Sequence, residues 1–152
     1  MAGAVRQSNT LQTFGMPLRA PQHALATIWT EVHNIMPWEV LFHEALESQL
    51  KALDTDLQDE ILAHARLLQD FGPALGRPTV DTLKGSKHPN MKELRIRWRR
   101  NVWRVAFAFD PERRAVLLAA GDKRGTDQRR FYRRLMDIAD SRFDEYLAAV
   151  AP

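Results

Sequence analysis

The stretch that decides the fold is residues 91–121, MKELRIRWRRNVWRVAFAFDPERRAVLLAAG. Side chains alternate across a strand, so each run can be sorted into two faces. Met91–Trp98 puts Glu93, Arg95 and Arg97 on one face and Lys92, Leu94 and Ile96 on the other. Val102–Phe109 sends Trp103, Val105, Phe107 and Phe109 inward and Arg104 outward. Ala115–Gly121 is almost continuously apolar, as a central strand is. The linkers Arg99-Arg100-Asn101 and Asp110-Pro111-Glu112-Arg113 are hairpin length, and Asp-Pro favours a tight turn. Three strands in an antiparallel meander are therefore predicted.

Working outward, Thr126 is placed to cap a helix running to about Val150, with Tyr132, Leu135, Met136, Ala139, Phe143 and Leu147 as its apolar stripe. Upstream, Gly72 to Asn90 is rich in Gly and Pro and reads as loop. Before it, Thr55 with Gln58 reads as a capping box. Leu57, Ile61, Ala65 and Leu68 then recur at helical spacing until Gly72-Pro73 stops them. His43–Leu53 suits another helix, and Trp38–Phe42 a first strand. Residues 1–35 are polar and weakly patterned, and are read as a poorly ordered extension to a domain over 36–150. Met36 is a candidate alternative start. The order predicts an α+β domain: a strand and helical hairpin packed on the meander, then a C-terminal helix. With both hairpin helices on one sheet face, the other face is expected to stay open, with Arg95, Arg97 and Arg104 on it.

Charge is as uneven as hydropathy. Thr79–Arg134 holds 16 Lys and Arg against 6 Asp and Glu, a net +10, whereas the 152-residue chain is only +3. Met36–Phe71 has 2 bases against 8 acids. Such a division points to a polyanion partner, nucleic acid first. With no Cys, disulfides and cysteine zinc sites are excluded. No apolar run approaches the ~20 residues that span a bilayer, so a cytoplasmic protein with no membrane partner is expected. No phosphate-cradling Gly-rich loop or dinucleotide fingerprint occurs, and His23, His33 and His43 lack metal-ligand spacing. No cofactor or metal is expected.

The runs LKGSKHPNMKELR (83–95), VWRV (102–105) and GDK (121–123) together resemble the RelE/HigB-type toxins of bacterial type II toxin–antitoxin systems, in the phage-derived HigB-like branch. The resemblance implies a RelE-like fold and a ribosome-dependent mRNA endoribonuclease, silenced by a cognate antitoxin of helix-turn-helix type. Ribosome and mRNA are then the other partners. In such enzymes the ribose 2′-hydroxyl attacks the adjacent phosphorus, and cations stabilise the charge that develops. By motif match, Arg95 and Arg104 would clamp phosphate, and Lys92 or Lys123 would carry the proton. Lys84, Lys87, His88, Arg97, Arg129, Arg130 and Tyr132 are the expected RNA-binding set. The competing reading pairs Arg95 and Arg104 with Glu93 or Asp122. Two other functions fit the same residues: a ParE-like poison of DNA gyrase, and a module that binds RNA or protein without catalysis.

Overall fold

The computed structural model describes Val5–Arg6 and residues 37–151. Its strands are β1 (Val5–Arg6), β2 (Glu39–His43), β3 (Val80–Thr82), β4 (Met91–Trp98), β5 (Asn101–Phe109) and β6 (Arg114–Asp122). Its helices are α1 (Glu44–Lys51), α2 (Thr55–Phe71) and α3 (Gln128–Val150). One six-stranded sheet runs in the order β1-β2-β6-β5-β4-β3. The predicted antiparallel meander is β4-β5-β6. The sheet is mixed, because β2 lies parallel to β6. The α+β, RelE-like order read from the sequence is therefore the order observed.

Register follows from the turns. Trp98 pairs with Asn101 across a two-residue turn in which Arg99 takes the left-handed conformation (φ 55°). At the next turn the Asp110 carboxylate accepts from the backbone N–H groups of Glu112 and Arg114, at 2.8 and 3.0 Å. An aspartate that bonds its own downstream backbone fixes a turn without help from neighbours.

The apolar residues of the meander divide between two layers. Leu94, Ile96, Val105, Phe107, Ala115 and Leu117 face α1 and α2. Met91, Ala106, Ala108, Val116 and Leu118 face α3. This corrects the expectation of an open cationic face. Phe131, Leu135, Ala139, Phe143 and Tyr146 of α3 are all buried on it. The small side chains of Ala106, Ala108 and Ala119 let the helix approach. Of the three sheet arginines, Arg97 is exposed near the end of β4, while Arg95 and Arg104 are partly buried.

Local details differ from expectation for physical reasons. The capping box at Thr55 does not form. Asp54 is the cap residue, without a side-chain bond, and Gln58 donates back to Leu53 O at 2.8 Å. It also reaches Lys51 O, the last carbonyl of α1, at 3.4 Å. At α3 the cap is Asp127 rather than Thr126, its carboxylate accepting from Arg130 N at 3.2 Å. The loop before β4 contains the edge strand β3, too short to show a period. Val5–Arg6 pair with Phe42 and His43, while the rest of the expected N-terminal extension lies outside the described residues. No helix among the described residues is long and apolar enough to cross a membrane.

Candidate phosphate-binding site

Register places Arg95 of β4 directly opposite Arg104 of β5, on the α3 side of the sheet. Like charges facing each other across strands repel. Glu93, two residues from Arg95 on the same face, resolves this. Its carboxylate is 2% exposed. Arg95 donates to its Oε2 through Nε at 2.8 Å and lies within 2.7 Å through Nη2. Arg104 Nε stands 3.9 Å from its Oε1. Arg95 also reaches Asp81 Oδ2 at 3.4 Å.

The third member comes from α3. Gly121 is the residue opposite Arg104 on β6, and a Cβ there would come within 3.3 Å of the Phe131 ring. The bare glycine lets Phe131 settle on the sheet, which sets the next residue, Tyr132, over Glu93. The Tyr132 hydroxyl donates to Glu93 Oε1 at 2.9 Å and accepts from Arg104 Nε at 2.7 Å. Burial, then the bond to Glu93, raises the phenol pKa, with Arg104 opposing. The tyrosine is held neutral as a link between the carboxylate and the guanidinium. Arg104 also donates to Val102 O at 2.9 Å and lies over the Tyr132 and Phe131 rings.

Arg104 forms one wall of a cleft of about 290 Å³, lined also by Arg100, Asn101, Asp122, Lys123 and Arg124. Lys123 Nζ donates to Gln128 Oε1 at 3.1 Å, so its ammonium has no carboxylate against it among the described residues. Arg124 is 3.5 Å from Asp122. A wider hollow next to it is lined by Asp127, Gln128, Arg129 and Tyr132. Arg129 and Arg130 are exposed at the N-terminus of α3, where backbone N–H groups favour anions. Arg97 is exposed and pairs in register with Val102, at the rim of the cleft.

The expected set thus divides. Arg104, Lys123, Arg97, Arg129, Arg130 and Tyr132 gather at one end of the sheet. Arg95 lies beneath them, engaged by two carboxylates. Lys92 lies on the opposite face, between Thr82 and Phe107 in register, because strand alternation separates it from Arg95. Lys84, Lys87 and His88 sit at the far end of β4. There Lys87 pairs with Asp144, and His88 Nε2 is 2.8 Å from the same carboxylate. Ser86 bonds Asp140. These contacts tie the loop to α3. The pairing weighed against function is met by Glu93, while Asp122 serves Arg124. Sequence reading missed Glu93 and Gly121 as builders of the site. The alternation already put Glu93 on the face of Arg95, which was the available signal. Among the described residues no cluster of His, Asp and Glu is placed to hold a metal.

The family described as phage derived protein Gp49-like matches residues 48–144. The chain is 43% identical over 106 residues to the protein named "Putative toxin HigB2" of Mycobacterium tuberculosis (strain ATCC 25618 / H37Rv), covering 69% of this chain and 52% of that one. It is 40% identical over 110 residues to HigB3 of the same organism, named in the same way, covering 72% of this chain and 94% of that one. The chain spans about half the length of the first of these relatives. No solved structure matches it. The chain belongs to the phage-derived Gp49-like family, and its relatives bear out the resemblance to HigB-type toxins.

Proposed function

We propose that the protein is the toxin of a type II toxin–antitoxin system and a ribosome-dependent endoribonuclease that cuts mRNA. The observation that carries this reading is the cleft in which Arg104, braced from beneath by Glu93 and Tyr132, shares a wall with Lys123. Family membership supplies the toxin class; the cleft supports the chemistry. A single-stranded RNA fits such a site by its phosphates and its 2′-hydroxyl.

In this reading the 2′-oxygen bonds to phosphorus and the bond from phosphorus to the 5′-oxygen breaks. The 2′-hydroxyl proton passes to water, and the ammonium of Lys123 gives a proton to the leaving 5′-oxygen. The products are a 2′,3′-cyclic phosphate and a 5′-hydroxyl. Arg104 faces the charge that builds on the phosphoryl oxygens, where a fixed donor in a confined site contributes most. Arg97, Arg129 and Arg130 contact flanking phosphates. Arg95 holds Glu93 in place, and Lys92 takes no part. A cognate antitoxin of helix-turn-helix type silences the cleft, and ribosome and mRNA are the targets.

Primer extension on mRNA from a bacterial translation extract tests this. New cuts are expected with the protein and are absent with Arg104→Ala or Lys123→Ala that remain folded. No cuts from protein that arrests growth on induction removes the nuclease reading. Cutting retained by both variants removes the assigned roles.

A further inference from the structure

A second concave surface lies beside the cleft. The pairing of β2 with β6 ends at Leu117, so among the described residues 118–122 have no strand on that side. α1 and α3 flank this open edge and reach over it with side chains. Gln49 donates to Ala120 O at 3.1 Å, and Arg142 Nη1 to Leu118 O at 2.7 Å. The groove between the edge and α3 measures about 230 Å³.

Its floor is apolar: Ala119, Ala120, Leu135 and Ile138. Ile138 is 37% exposed, one of three large apolar side chains left in water among the described residues. Its rim carries Arg134 and Arg142, with Asp122, paired to Arg124, where the groove meets the cleft. Arg134 is exposed, and Arg142 is half-buried, its charge disfavoured by loss of water. Neither pairs with a carboxylate among the described residues. Glu145, the acid whose charge acts on Arg142, is bonded to His43 at 2.8 Å. A half-buried guanidinium and an exposed isoleucine lining one groove call for a ligand that is anionic and apolar at once. Nucleic acid would answer the arginines and leave the floor uncovered.

We propose that the groove between α3 and the open edge of β6 docks an acidic, amphipathic segment of a partner protein, its carboxylates on Arg134 and Arg142 and its apolar side chains over Ile138 and Leu135. The groove and the cleft share Asp122, so a segment seated here ends beside Lys123. Docking needs no RNA chemistry, and it can be measured without ribosomes, so its failure is separable from failure of the nuclease reading.

The test uses a fluorescent synthetic peptide alternating glutamate and leucine, titrated with the full chain and followed by anisotropy. Saturable binding is expected for the wild type. Arg134→Glu and Ile138→Asp, both exposed and checked for folding by circular dichroism, should each bind about tenfold more weakly. A peptide with lysine in place of glutamate should not bind. The proposal is overturned by absence of saturable binding, by equal binding in both folded variants, or by equal binding of the lysine peptide. It is also overturned if oligouridylate displaces the glutamate peptide, which would make the groove a nucleic-acid site.

Discussion

Replacing Glu93 with Gln isolates the charge that holds the candidate site together. The substitution keeps the volume and an acceptor for Tyr132, and removes the anion that offsets Arg95 and Arg104. Glu93 is 2% exposed and meets three polar side chains, two of them guanidinium groups. Removing one partner of a buried pair costs about 3–5 kcal/mol. Arg95 is 38% exposed and keeps Asp81 at 3.4 Å, so water and a second carboxylate recover part of it. The expected loss is therefore near the low end, about 3 kcal/mol. For a domain of this size that lowers the melting temperature by roughly 10 °C. Urea unfolding followed by circular dichroism measures it. A second reading comes from Tyr132, whose phenol pKa stands above its usual 10.0 through burial and the bond to Glu93. Without the Glu93 charge it should fall toward that value. The chain has 2 tyrosines, so a Tyr146→Phe background isolates the signal in ultraviolet titration. A stability loss under about 1 kcal/mol together with an unmoved tyrosine titration would refute the idea that Glu93 organises this cluster.

Tyr146 donates to the buried Asp110 carboxylate at 2.5 Å, so Tyr146→Phe should cost about 1–3 kcal/mol in urea unfolding, and a cost under about 0.5 kcal/mol contradicts it. At Gly72 the backbone is left-handed (φ 52°) and a Cβ would overlap the Trp38 indole. Gly72→Ala should therefore lose at least about 2 kcal/mol, read as a shifted melting curve, and a neutral result would refute the close packing of Trp38 on Gly72. Asp144 is held below its ordinary 3.8, first by the bond from Lys87, then by His88. A depressed carboxylate contributes stability that is present above its unfolded pKa and lost as pH falls through the lower folded value. Asp144→Asn should thus lower the melting temperature at about pH 6 by more than at about pH 2; the same deficit at both would exclude the ionic cause.

Periodicity carried much of the fold. The meander bounds, the two faces of β4 and β5 and the stripe Leu57, Ile61, Ala65 and Leu68 were all legible, because each depends on spacing within one element. The cover of α3 over the second face was not. It depends on how closely a helix can approach, which Ala106, Ala108 and Gly121 permit only once the strands are aligned. The same limit explains the Lys-rich loop. Lys87 and His88 read as RNA ligands in the sequence, yet Asp140 and Asp144, more than fifty positions away, meet them one turn apart on α3.

By itself the sequence determined the strands β2, β4, β5 and β6 and the three helices, the imbalance of charge, and the resemblance to a toxin family, all properties of neighbours along the chain. Only the tertiary structure decided which cations share a cleft. Strand register set Arg104 across from Arg95, Phe131 on Gly121 delivered Tyr132 to Glu93, and Lys92 was left on the other side of the sheet. Contacts between distant segments follow from packing distances, and those exist only after the layers close.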